Sequence, residues 1–248
     1  MPETEKIVSE VELAIIKYSP FLAEIRRRTL FVISLFIISA AIGFIYYERI
    51  ITLVLQIFSL KGLNIVFTSP FQFLSLAINS ALLLGSVAVF PAVTVQALIF
   101  VKPALKKSEF KSLIVLIPLG FLLFISGFTY GVMMMKYVLI IFFQKSIELN
   151  IGNFIDVSLL LSQVLLTSIL MGIGFQFPIG LTILMRLKIF GYHQVVKQRL
   201  LVYGVSLVFA ALMPPTDLLS LLLLFLPLAF LFELTLLCNK FLLKTHHL

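Results

Sequence analysis

The feature that most constrains this chain is a succession of long apolar runs, each ended by a short basic cluster or a proline. Six runs stand out: Thr29–Tyr47, Phe73–Val101, Ser112–Met135, Val157–Met185, Leu200–Met213 and Leu218–Cys238. Only the last carries a charge, Glu233. A helix needs roughly 20 apolar residues to cross the ~30 Å hydrocarbon core of a bilayer, and all but the fifth run come to about that length. Composition agrees: of 248 residues 61% are apolar and 12% charged, with 25 Phe, no Trp and a mean hydropathy of +1.15. A soluble fold of this size still needs a polar skin, so the fitting solvent is lipid. An ordinary cytosolic enzyme, a disulfide-built secreted domain and a disordered chain are excluded.

The fifth run is short. Its residues would rise only about 21 Å as a helix, and Pro214 and Pro215 close it because neither can donate a helical hydrogen bond. Either the bilayer thins there or partners shield the span; a re-entrant hairpin built from runs five and six is the alternative. Orientation follows from the basic residues, which collect on the cytoplasmic side. Lys6, Lys17 and Arg26–Arg28 precede the first run, Lys102, Lys106, Lys107 and Lys111 follow the second, Arg186, Lys188, Lys197 and Arg199 follow the fourth, and Lys240 and Lys244 follow the sixth. Only Arg49, Lys61, Lys136 and Lys145 fall on the opposite side. The net charge of +8 is therefore topological, and no nucleic-acid partner is implied. The expected fold is all-α: a polytopic bundle of six transmembrane helices with both termini cytoplasmic.

The division expected is a cytoplasmic tail over residues 1–20, one membrane domain over 21–238 and a cytoplasmic tail over 239–248. Within the first tail Ile7, Val8, Val11, Ala14, Ile15 and Tyr18 recur at helical spacing, the pattern of an amphipathic helix lying on the membrane surface. Pro20 predicts a break between that helix and the first span. Glu3, Glu5, Glu10 and Glu12, without a cleavable apolar core, do not read as a signal peptide.

Catalytic constellations are scarce, and no enzymatic activity is expected. The three histidines are His193 in a basic loop and His246 and His247 at the chain end, which form no metal-binding pair. Cys238 is the single cysteine, so no internal disulfide or thiolate metal site exists, and it reads as a reduced packing residue. No phosphate loop or nucleophile elbow is present; Gly172 and Gly174 read as places of close helix packing. No cofactor or metal is implied. Two polar groups stand within apolar runs. Glu233 must be protonated, paired or facing a wet cavity, and Gln176, between Phe175 and Phe177, is either a functional group or a clamp between helices. Glu24 and Glu109 are acids inside basic clusters. Each has a plain explanation, pairing with Arg28 at i,i+4 and with Lys106 at i,i+3. Each could instead dock guanidinium groups of a ligand through forked hydrogen bonds.

From about Pro20 to Cys238 the sequence resembles the TatC family, the multispanning core subunits of the twin-arginine protein translocase. The family's opening motif, His-Leu-x-Glu-Leu-Arg-x-Arg-Leu, reads here as Phe21-Leu22-Ala23-Glu24-Ile25-Arg26-Arg27-Arg28-Thr29. A second block is Ser69-Pro70-Phe71-Gln72-Phe73, followed by Pro91, Gln96, Phe100, Pro103, Leu105 and Glu109. Gly127-Phe128-Thr129-Tyr130, then Phe175-Gln176-Phe177-Pro178, then Pro214-Pro215, Pro227 and Phe232-Glu233 complete the order. Departures are Phe21 for the motif's His, Gln72 for an acid, Met135 for a proline, and Asp217 displaced by Thr216 from its usual place after Pro215.

The resemblance implies a glove-like concave bundle with short fifth and sixth helices, which binds twin-arginine signal peptides on its cytoplasmic face. It implies recruitment of single-span TatA/TatB-type subunits, assembly with further copies of itself, and export of folded proteins on the proton-motive force. By motif position Glu24 and Glu109, with Arg26 and Arg28 beside them, form the peptide site. Gln176 and Glu233 are the intramembrane polar groups, and Met213, Pro214, Pro215 and Asp217 lie on the partner-contact edge. Pro70, Pro91, Pro103, Pro178 and Pro227 are structural. The membrane implied is the bacterial cytoplasmic one, or a thylakoid or mitochondrial membrane for an organelle-encoded chain. The competing reading is a small secondary transporter or channel with Glu233 as its ion or proton ligand; no inverted repeat supports it.

Overall fold

The computed structural model describes residues 2–58, 64–66, 69, 71–102, 114–149, 154–187 and 189–244. In order, the elements are α1 (Pro2–Ile45), α2 (Tyr47–Ile57), β1 (Asn64–Val66), α3 (Gln72–Val101), α4 (Leu116–Glu148), β2 (Phe154–Asp156), α5 (Val157–Gly174), α6 (Phe177–Arg186), α7 (Tyr192–Lys197), α8 (Arg199–Ala211) and α9 (Leu218–Lys244). Five stretches are long and apolar enough to cross a membrane: Leu22–Ile45, Gln72–Phe100, Leu116–Glu148, Ser158–Arg186 and Leu218–Lys240. The shorter apolar helix Arg199–Ala211 occupies the place of the fifth run. Outward-facing Leu200, Phe230 and Leu212 are 84%, 67% and 75% exposed. Apolar surface on that scale calls for lipid around it.

Several boundaries differ from the sequence reading. Helix α1 runs without interruption from Pro2 to Ile45, through Pro20; a proline removes one helical hydrogen bond, and the neighbouring turns carry the helix past it. The third span continues thirteen residues beyond Met135, to Glu148. Lys136 does not stop it, because a long lysine stem can lie along the helix while its ammonium reaches outward. Met135 and Val138 on either side of it are both 1% exposed in the core. The fourth span is two helices, with a turn at Phe175 and Gln176 just ahead of Pro178. Of the two helices expected to be short only α8 is, with 13 residues. Helix α9 has 27, running on through Asn239 and Lys240. Cys238 is exposed rather than packed.

A feature the apolar-run reading lacked is a pair of three-residue strands. β1 and β2 are parallel, with Asn64 opposite Phe154, Ile65 opposite Ile155 and Val66 opposite Asp156. They tie together the connections before α3 and α5. Asp156 then caps α5, its carboxylate accepting from the amides of Ser158 (2.8 Å) and Leu159 (3.1 Å), which satisfies two of the helix's orphan donors. Gln72, at the start of α3, donates from Nε2 to the other oxygen of Asp156 at 2.5 Å. Ser158 donates to Ser75 at 2.8 Å. An amide at position 72 thus fits a site where a carboxylate would face Asp156.

Helices α4 and α5 meet backbone to backbone. A Cβ built on Gly127 would lie 2.5 Å from the Met171 carbonyl oxygen, and one on Gly131 would lie 2.6 Å from the Ser168 Cα. These glycines, one turn apart, form a small-residue seam of the kind that lets membrane helices approach closely. Gly172 fits against the Phe124 ring and Gly174 against Leu228 and Phe209, the close packing expected of them. The main core gathers Met134, Met135, Val138, Met171 and Phe175 from this pair with Leu224 and Leu228 of α9. Helix α1 packs on α3 with Gly43 against the Ser80 carbonyl.

Candidate functional site

The sequence-predicted site residues fall into separate regions. At the basic end of the first span, Glu24 and Arg28 sit one turn apart on α1. The Arg28 guanidinium donates from Nη2 (2.5 Å) and Nε (3.1 Å) to Glu24 Oε1. The same group reaches α3, where Nη1 donates to Gln96 Oε1 at 2.7 Å and to the Gln96 carbonyl at 3.3 Å. The arginine side chain is 21% exposed and the carboxylate 43%. Beside them a cavity of about 580 Å³ is lined by Ala23, Glu24, Arg27, Arg28, Phe31 and Gln96. Arg26 and Arg27 are exposed. The i,i+4 pairing that the sequence allowed for Glu24 is therefore present, and a second span extends it. Glu109, Pro70 and Pro103 lie outside the described residues.

Gln96 belongs to the second motif block, and the sequence alone assigns it no role. The signal was there: it is a polar residue within an apolar run, near that run's basic end. A guanidinium offers more donors than one carboxylate can take, so a neighbouring acceptor was to be expected.

The second region is the break in the fourth span. Pro178 cannot donate to the Gly174 carbonyl, and the chain turns at Phe175–Gln176. Gln176 Nε2 donates to the Gly120 carbonyl of α4 at 2.7 Å, so this side chain clamps two helices. Its Oε1 is buried and has no partner; it faces the Cβ side of Gly120.

The third region joins α8 to α9. Glu233 accepts from the Tyr203 hydroxyl at 2.5 Å through Oε1, and Arg199 Nη2 stands 3.5 Å from its Oε2. Arg199 and Tyr203 are one turn apart on α8, and the Tyr203 ring packs edge-on against Phe232. The intramembrane acid is thus paired, one of the three states its position required. Among the described residues no group of three or more His, Cys, Asp or Glu side chains could hold a metal ion.

The predicted partner edge also has internal contacts. Met213 is fully buried. The Thr167 hydroxyl of α5 donates to the Pro214 carbonyl, and the Pro214–Pro215 bond is cis. Asp217 caps α9, accepting from the Ser220 amide at 2.9 Å and the Ser220 hydroxyl at 2.6 Å. An apolar groove of about 400 Å³ opens between the fourth span and α8, floored by Gly174 and walled by Phe177, Val205, Phe209 and Leu228.

The family model for Sec-independent protein translocase protein (TatC) matches residues 20–227. The Sec-independent protein translocase protein TatCy of Bacillus subtilis (strain 168) is 30% identical over 221 residues, covering 88% of this chain and 87% of its own. The TatC protein of Listeria innocua is 28% identical over 225 residues, covering 89% and 90%. A crystal structure of the twin arginine translocase receptor TatC in DDM superposes with a TM-score of 0.78 over 88% of this chain and 98% of that one, at 24% identity. The fold is thus shared, and the motif elements lie in family order on a multi-pass membrane protein. The chain belongs to the TatC family of Sec-independent protein translocase proteins.

Proposed function

We propose that this protein is the receptor subunit of a twin-arginine translocase in a bacterial cytoplasmic membrane, with both termini and the Glu24 region facing the cytoplasm. In this role it binds twin-arginine signal peptides of folded cargo, assembles with single-span TatA/TatB-type subunits and further copies of itself, and supports export driven by the proton-motive force. The observation that carries the reading is that Glu24, beside an open cavity, already holds a guanidinium through two donors. Carboxylate and forked guanidinium match in geometry, whereas a lysine ammonium offers only a point charge. The Arg26–Arg28 cluster repels peptides that are merely cationic, so recognition rests on geometry. Glu109 serves as the second acid, and Gln176 acts in transport rather than in peptide capture. Met213, Pro214, Pro215 and Asp217 shape the edge where single-span partners dock.

The test is site-specific crosslinking from positions beside Glu24 and Glu109 to a twin-arginine peptide and to its double-lysine variant. Crosslinks that form with the first and vanish with the second are expected. Glu109→Ala should abolish them and Glu109→Asp retain some; equal crosslinking by the native protein and Glu109→Ala refutes the reading. The transporter alternative draws no support from Glu233, whose two oxygens face Tyr203 and Arg199.

A further inference from the structure

One oxygen of the Glu24 carboxylate, Oε1, is occupied by the chemical group that the proposed ligand would bring. Arg28 uses Nε and Nη2 on Glu24 and Nη1 on Gln96, so its fork is fixed between two helices rather than swinging from one. The cavity lined by Glu24, Arg27 and Gln96 lies against this occupant. We propose that Arg28 is a built-in occupant of a guanidinium subsite formed by Glu24 and that Gln96 is the positioning residue that holds it there. A cargo arginine then binds by exchange. Its guanidinium takes the Nε and Nη2 bonds to Glu24 Oε1, while Arg28 keeps its Nη1 bonds to Gln96 on α3.

Physical consequences follow. A site that must first release an internal ligand binds every external one more weakly by the fraction of time it stands open. Arginine and lysine peptides are penalised by the same factor, so their ratio is unaltered while the threshold for occupancy rises. Only a ligand with a strong forked contact then fills the site at working concentration. Gln96 matters because a pinned side chain has already lost its rotamer freedom. A loosened Arg28 would compete less well for Glu24. Exchange opens only the contact within α1 between Glu24 and Arg28, and the link from Arg28 to Gln96 on α3 stays in place.

This inference rests on the peptide-receptor reading, and one experiment separates the two. Binding of fluorescent twin-arginine and twin-lysine peptides is measured on the purified full-length chain in detergent, for the native protein and for Glu24→Ala, Arg28→Lys and Gln96→Leu. Arg28→Lys, which keeps the charge and loses the fork, should tighten binding of both peptides about tenfold with their ratio preserved. Gln96→Leu should act in the same direction by about threefold, and it carries the test by itself if Arg28→Lys does not fold. If Glu24→Ala leaves peptide binding intact, the receptor reading at this site fails. If Glu24→Ala abolishes binding but the other two variants bind no tighter than the native protein, the exchange inference alone is overturned.

Discussion

The Tyr130 hydroxyl donates at 2.6 Å to the carbonyl of Leu223, the carbonyl that Pro227, four residues later in α9, leaves without an amide partner. Two motif residues from different spans thereby complete one another. In lipid a freed carbonyl has no water to turn to, so the proline on one helix explains the tyrosine on another. Tyr130→Phe should lower stability by about 1 kcal/mol. In Pro227→Ala, which restores the helical amide, the same tyrosine change should cost clearly less. Thermal unfolding of the four proteins in detergent gives the coupling, and strict additivity would discredit the relationship.

The α4–α5 seam makes a sharper demand on size. Gly131→Val places a branched side chain where even a Cβ lies 2.6 Å from backbone, and the helices must part. A loss of about 3 kcal/mol or failure to accumulate in the membrane is expected. Gly180 and Gly204 have nothing within 4 Å of a built Cβ. Alanine at either should be neutral or stabilising by up to about 1 kcal/mol, through helix propensity. Expression and melting temperature of the three variants settle the contrast.

Gln72 and Asp156 bridge the two connections at the strand pair. Gln72→Glu sets a second carboxylate against the first, and should cost more than Gln72→Ala at neutral pH, by about 1 kcal/mol or more. Equal melting temperatures for the two variants would show that no carboxylate repulsion acts at this site, and a Gln72→Ala variant as stable as the native protein would show that the bridge contributes nothing.

Glu233 distinguishes a structural acid from a proton carrier. Glu233→Gln keeps an acceptor for Tyr203 and removes the ability to ionise. Export of a folded twin-arginine reporter should persist at near-native rates in that variant. Loss of export with normal protein levels would restore the carrier role.

Gln176→Leu removes the clamp on Gly120 and the buried amide oxygen together. Peptide crosslinking should survive while export falls. Normal export would count against any transport role for this amide.

What the sequence determined by itself was everything governed by solvent and local chemistry. The apolar runs demanded lipid because no soluble globule of this size can hide them. The short run ended at Pro214 because two consecutive prolines donate no hydrogen bonds. Glycines 172 and 174 read as packing positions because small residues in a membrane run have few other uses. Tertiary structure decided which polar groups meet. Nothing local pairs Gln96 with Arg28, Tyr203 with Glu233, Gln72 with Asp156 or Tyr130 with Leu223, since each bond joins segments whose proximity depends on how spans pack. The helix through Pro20 and beyond Met135, and the two small strands, belong to the same class. A single proline or lysine is a modest local penalty, and whether an element ends there depends on contacts that only the folded bundle supplies.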